Sequence, residues 1–288
     1  MMYDDEGLHL HQSDIETYMQ CPEKLRRSFI SGVNGDTQTS DAAFVGTCTH
    51  AVIETELQAE YPYESLEEAQ AIGALAFLNG FEEMVAKGTS YTRETFKTDA
   101  RAMAALKPLV ESWWLSKERH DLLEQDHDYL VEFEFDEMFT THQLSGMKLF
   151  LGGRMDLVQR AKVTDWKTAG GPYQQWEKQR WAAQPTVYTW IAAKNGLIVP
   201  NKYGEYTFEY KVLLRRSTPV EFLTYPVTRA MGSWGWLETV CQNIANTFTL
   251  LGIDNEWPLN DHSALCSPKW CPFWKNCKGA FVNGERWT

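Results

Sequence analysis

The chain has 288 residues, 43% hydrophobic and 13% aromatic, enough to bury a sizeable core and too apolar for a disordered polymer. Its 27 Lys and Arg against 39 Asp and Glu leave a formal charge of −12. That excludes a broad attraction to phosphate backbones, so any nucleic-acid contact has to be a local basic groove or a metal ion.

In chain order, Ser13-Asp14-Ile15-Glu16 reads as a capping-box helix start, and Pro22 breaks or restarts that helix after Cys21. A second helix is expected over Asp41–Glu60, then long helical patterns over Leu66–Lys87 and Arg93–Arg119, the latter interrupted near Pro108. The period changes at Tyr129–Asp136, where apolar and acidic side chains alternate as in a strand. Short strands are expected at Lys148–Leu151, Arg154–Arg160 and Lys162–Lys167, the first two separated by Gly152-Gly153. A helix over about Gln174–Lys194, a strand pair around Tyr203–Arg216, a helix over Val227–Leu251 and a loop-rich, cysteine-bearing end complete the chain. The expected architecture is one α/β domain over residues 1–288, with a helical insertion at about 60–125 and a cysteine-rich tail at 255–288. No run approaches the ~18 uninterrupted apolar residues of a membrane span. The acidic start Met1–Glu6 lacks signal-peptide character. A cytoplasmic protein with reduced thiols is expected.

The segment Gly153-Arg154-Met155-Asp156, followed by Asp165-Trp166-Lys167, carries the strongest chemical signal. Residues two apart on a strand share a face, so Asp165 and Lys167 point together while Trp166 points away. A tight hairpin would set Asp156 beside Asp165. Two convergent carboxylates make an oxygen-rich site suited to Mg²⁺ or Mn²⁺. The adjacent ammonium can orient or deprotonate a water, or stabilise charge developing on a phosphate. Without other support, the same residues would make an ordinary exposed ion pair.

Four motifs supply that support. Gly46-Thr47-Cys48-Thr49-His50, Gly153-x-x-Asp156, Asp165-x-Lys167 and Gln184-x-x-x-Tyr188 occur in the order seen in the RecB-like branch of the PD-(D/E)XK nucleases, which the chain resembles from about Leu10 to Lys278. The branch includes the iron–sulfur exonucleases of CRISPR adaptation and AddB-type helicase–nucleases. The resemblance implies a restriction-endonuclease-like core with a central mixed sheet flanked by helices. It also implies a divalent metal held by His50, Asp156, Asp165 and the Trp166 carbonyl, with Lys167 positioning the water nucleophile. Glu54, four residues after His50, either joins the metal or supports His50. Gln184 and Tyr188 would hold DNA phosphate or buttress Lys167, with Pro185 a departure that threatens to kink their helix.

Cys266, Cys271 and Cys277 form a compact thiolate cluster, and Cys21-Pro22 offers a distant fourth ligand. In the iron–sulfur members an N-terminal Cys-Pro completes the set, which implies a 4Fe-4S cluster stapling the two ends of the chain. The spacing of the first tail pair leaves structural Zn²⁺ as the alternative, with His262 as a substitute ligand. Cys48 and Cys241 read as core. Arg26, Arg27, Lys178, Arg180, Lys275 and Lys278, some beside Trp176, Trp181, Trp270 and Trp274, are candidate contacts to single-stranded DNA. The expected activity is a metal-dependent DNA exonuclease acting on single strands or ends, in a bacterial, archaeal or phage-infected cell. Recombination, helicase or CRISPR-adaptation proteins are the expected partners. The alternatives are a non-catalytic DNA-end-binding or assembly subunit and a zinc-stabilised interaction module.

Overall fold

The computed structural model describes residues 2–34, 39–88, 91–124 and 128–277. It opens with strands β1 (Met2–Tyr3) and β2 (Leu8–His11) and helices α1 (Gln12–Gln20) and α2 (Pro22–Asn34). Next come β3 (Thr39–Ser40), α3 (Asp41–Gln58), α4 (Leu66–Ala86), β4 (Tyr91–Thr92), α5 (Asp99–Ala104), α6 (Leu106–Trp114) and α7 (Lys117–Leu123). The sheet strands β5 (Tyr129–Thr141), β6 (Lys148–Gln159) and β7 (Lys162–Ala169) follow, then α8 (Gln175–Trp181), α9 (Gln184–Lys194), β8 (Glu205–Leu214), β9 (Glu221–Ala230) and α10 (Gly232–Leu251). Among the described residues, no helix is long and apolar enough to cross a membrane.

The architecture is mixed α/β, with one large sheet in the order β1-β2-β6-β7-β8-β9 and β5 added alongside β6. β5 runs antiparallel to β6 along nearly its whole length. A strand has only two hydrogen-bonding sides, so β2 and β7 must share the other one. β2 takes Leu149–Gly152 in parallel and β7 takes Leu157–Gln159 antiparallel. Between them, residues 153–156 of β6 are left without a ladder partner on that side, and the sheet splits there.

Two apolar layers cover the sheet. Ile53 and Leu57 from α3 and Trp113 from α6 pack on Leu157 and Trp166, while Ile15, Val187, Ile191 and Ile244 pack with Met155, Val163 and Phe208. α3 comes very close to β7. A Cβ on Gly46 would stand 2.7 Å from Thr168 Oγ1, so only glycine permits this approach.

Several elements differ from the sequence expectations. The first helix starts at Gln12, capped by the Asp14 carboxylate accepting from the His11 N–H at 2.8 Å, two residues ahead of the expected box. Gly152-Gly153 do not interrupt β6. They admit close neighbours instead, since a Cβ on Gly153 would meet Phe135 Cζ at 2.9 Å. The expected helix over Gln174–Lys194 is two helices, and Pro185 sits in the first turn of α9, where its missing N–H costs nothing. The strand pair expected within Tyr203–Arg216 is the single strand β8. Its partner β9 claims Val227–Ala230, which the sequence pattern assigned to the last helix. The pattern over Arg93–Arg119 resolves into three short helices, broken at Ala105, three residues before Pro108, and again at Leu115-Ser116.

Candidate active site

The split in the sheet gathers the candidate residues. The β6–β7 ladder ends at Leu157↔Thr164, and one residue further on Asp156 leaves the ladder. Its Oδ2 accepts the Trp166 N–H at 2.7 Å, a side-chain bond where a strand bond would continue. The His50 Nδ1 stands 3.5 Å from the same Asp156 oxygen. His50 reaches it because Gly46, one helical turn earlier, lets α3 lie against β7. Asp165 is 2% exposed, pairs with Lys167 Nζ at 2.6 Å and accepts from Gln184 Nε2 at 2.6 Å. Trp166 points to the other side and packs edge-on against Trp113.

The electrostatics follow from burial. Desolvation and the nearby Lys167 hold the His50 imidazole down to about 4, so it is neutral with a lone pair to offer. Desolvation lifts both Asp156 and Asp165 above the ordinary carboxylate range, against the pull of Lys167. Burial alone would lower Lys167, but Asp165 and Asp156 outweigh it and raise it. Lys167 is thus held as an ammonium and suits orienting and charge-stabilising work better than proton abstraction. A neutral imidazole with two partly desolvated carboxylates is a chemically suitable donor set for a hard divalent cation. Among the described residues, no three His, Cys, Asp or Glu side chains close to ligating spacing. The set thus matches a hard cation in donor type and not in ligating distance.

Gln184 and Tyr188 are both buried. Gln184 braces Asp165 instead of touching Lys167. Tyr188 packs edge-on against Phe135 at 5.6 Å, and burial pushes its hydroxyl up to about 12. Glu54 lies within electrostatic reach of Asp156.

Two residues escaped the sequence reading. Glu132 on β5 and Arg154 on β6 pair at 2.5 Å beside Asp156. Glu132 belongs to an acidic–apolar alternation in which every acid reads as outward-facing, so no sequence signal separates it from Glu134. Arg154 lies inside the Gly153–Asp156 motif but reads there as a spacer.

All four candidate cysteines line one small cavity, together with Lys24, Arg27, Leu259, Leu265 and Trp274. Cys21 comes from the turn between α1 and α2, and the other three from the tail. Burial raises the Cys266 thiol, and Cys271, Cys277 and Cys21 add to the effect. No disulfide joins any of them. His262 has a side chain 94% exposed, faces Asp261 and does not line this cavity, which removes it as a ligand. Cys48 and Cys241 are buried in the apolar layers.

The basic candidates divide. Arg26 is 8% exposed and spends its guanidinium on Glu23 and the Ile253 carbonyl, so it is structural and not a DNA contact. Arg27 also binds Glu23, at 2.7 Å. Lys178 lies over the Tyr173 ring at 4.1 Å, within electrostatic reach of Asp165 and Lys167. Arg180 covers the exposed Trp181. Lys275 is exposed on the tail, and Lys278 lies outside the described residues.

A mixed sheet flanked by helices, split around an acid–lysine pair, defines a nuclease-like α/β protein. Residues 9–278 match the PD-(D/E)XK nuclease superfamily, and the chain belongs to that superfamily, whose members are generally metal-dependent nucleases. Among solved structures it is similar to one titled "Crystal structure of SSO0001", at 10% identity over 96% of this chain and 88% of that chain, with a TM-score of 0.37. No protein with a curated description matches the chain.

Proposed function

We propose that the protein is a metal-dependent DNA exonuclease of RecB type, hydrolysing phosphodiester bonds in single strands or at DNA ends. The observation that carries this reading is the meeting of His50, Asp156, Asp165 and Lys167, from three elements, where the sheet splits. His50, Asp156, Asp165 and the Trp166 carbonyl would hold Mg²⁺ or Mn²⁺. The cation supplies Lewis-acid polarisation of a phosphoryl oxygen and acidification of water. The Lys167 ammonium, with its side chain about a third exposed, places fixed positive charge where the scissile phosphate arrives. Gln184 keeps Asp165 in one orientation, a role that matters because small displacements of positioning groups are costly to rate. Lys178, within electrostatic reach of Asp165 and Lys167, and Arg180 with Trp181 further along the same helix would supply charge and a ring face, the combination that grips single strands without sequence preference.

The four-cysteine cavity is the second part of the proposal. Cys21, Cys266, Cys271 and Cys277 would hold a 4Fe-4S cluster, with structural Zn²⁺ as the alternative, and tie the tail to α1 and α2. Its task is structural, because hydrolysis consumes no electrons.

End-labelled single- and double-stranded DNA incubated with Mg²⁺ or Mn²⁺ tests the activity, with Lys167→Ala alongside. Cation-dependent shortening by the native chain alone is expected. DNA binding without shortening by either protein would favour a non-catalytic end-binding subunit. Anaerobic purification with iron and zinc analysis decides the tail. Visible iron–sulfur absorption lost in Cys21→Ser is expected, and a colourless zinc protein would overturn the cluster assignment.

A further inference from the structure

Glu132 is unlike the other acids of β5. The pairs Val131↔Leu157 and Phe133↔Met155 place it directly across from Asp156, yet the Glu132/Asp156 pair itself is not bridged. Its backbone explains why, because φ is +54°, in the left-handed region that glutamate rarely adopts. The faces of the sheet exchange here. Tyr129, Val131 and Leu157 pack with Trp113 and Trp166 on one side, while Phe133, Phe135 and Met155 pack with Tyr188 and Phe208 on the other. In a regular strand residues 131 and 133 would share a face. The turn brings the Glu132 side chain inward, to 9% exposure, whereas Glu134 and Asp136 stay exposed.

The carboxylate thus arrives among acids. Asp156, Glu54 and Asp165 all lie within electrostatic reach of it. Its Oε2 is covered and takes no hydrogen bond among the described residues, facing only the Arg154 guanidinium at 2.5 Å. Arg154 is 56% exposed and free to swing outward, so it neutralises Glu132 without enclosing it. A buried acid facing Asp156 and within reach of two further carboxylates is costly unless a cation is shared among them.

We infer that Glu132 is a further oxygen ligand of the divalent cation, supplied from the strand opposite Asp156, and that Arg154 yields its place when the cation binds. The inference rests on the nuclease reading above and adds to it a residue outside the four sequence motifs. Directly opposite residues of an antiparallel pair share a face, so the register sets Glu132 beside Asp156, and the left-handed residue marks the point where the faces of β5 exchange.

The test is Mn²⁺ titration of the DNA-free protein by isothermal calorimetry, with Glu132→Gln, Glu132→Asp and Asp156→Asn. The glutamine variant keeps the shape and removes the charge, while the aspartate variant keeps the charge, shortens the reach and tolerates the left-handed backbone. Melting in chelator verifies each fold. Both Glu132 variants are expected to bind Mn²⁺ at least about tenfold more weakly than the native chain, and binding within about twofold would overturn the assignment. If Glu132→Asp binds normally while Asp156→Asn does not, the nuclease reading stands and Glu132 is merely the partner of Arg154. If the native chain binds no Mn²⁺, both fall together.

Discussion

Glu56 closes the buried connection between α3 and the helices α6 and α7, and its removal has a calculable cost. The carboxylate is 1% exposed and Arg119 is 5% exposed. Arg119 Nη2 donates to it at 2.6 Å and Nε at 2.9 Å, and Trp113 Nε1 donates at 2.8 Å. Glu56→Ala would leave a guanidinium and an indole N–H desolvated together. Breaking one side of a buried pair costs about 3–5 kcal/mol, and an unsatisfied buried donor costs about 1–3 kcal/mol. The terms overlap, and Arg119 keeps its contact with the Trp114 ring at 3.8 Å, so about 4–5 kcal/mol is the net expectation. At about 2 °C per kcal/mol for a chain of this length, the melting temperature should fall by roughly 8–10 °C. Differential scanning calorimetry measures it. Replacing both partners, Glu56→Leu with Arg119→Met, should recover most of the loss, because an apolar pair of similar volume pays no desolvation. A shift under about 3 °C for Glu56→Ala, or a double variant worse than the single, would refute the reasoning.

Gly46→Ala should cost about 1–3 kcal/mol by forcing α3 away from Thr168, and Thr168→Ala should rescue it by removing the obstructing Oγ1. Denaturant melts of the two single variants and the double check this. Acid should release the tail. Desolvation alone would raise Glu23, but bonds from Arg26, the Trp257 N–H and Arg27 outweigh it and hold Glu23 below its ordinary value. A depressed acid contributes stability that is complete above its unfolded value and is lost as pH falls through the folded one. Hydrogen exchange at the Trp257 amide should therefore accelerate below about pH 4.5, relative to the chain's other protected amides. Glu23→Gln should show that fast exchange already at neutral pH.

Spacing settles only the facing of the acid–lysine strand, the family resemblance supplies His50, Gln184 and Tyr188, and the rest depends on packing that neither reveals. Asp165, Trp166 and Lys167 alternate as any strand must, so their facing is settled by period. The placement of His50 rests on a glycine one turn before it, whose purpose appears only when Thr168 is seen against it. Pro185 conflicts only with a helix that runs through it from Gln174, and with α9 starting at Gln184 the conflict is absent. Glu132 could not have been found, because alternation assumes a constant hand of backbone and a single positive φ breaks that assumption. The β9 strand was missed where Pro226 interrupts it, although that residue still pairs with Glu209 in register. Arg26 was misread since local charge density does not reveal that Glu23, one turn before it, consumes the guanidinium.

The tail and the acid–lysine centre are not independent structures. Cys21, which lines the cysteine cavity, directly follows α1. On that helix the Glu16 carboxylate accepts the Ala183 N–H at 3.0 Å, at the entrance to α9. The next residue, Gln184, donates to Asp165. Two hydrogen bonds and one short helix therefore separate the thiols from the acid that pairs with Lys167. The Glu23 carboxylate adds a second hold on the tail through the Trp257 N–H at 2.8 Å. A cluster held by these thiols, as proposed above, would gain from this arrangement a purpose that needs no redox duty. A helix of nine residues is too short to hold its own position, and α1 is the element that orients the Gln184 brace. Ligation of Cys21 would secure α1 at its far end and so hold the geometry of Asp165 without placing a single extra group in the centre itself.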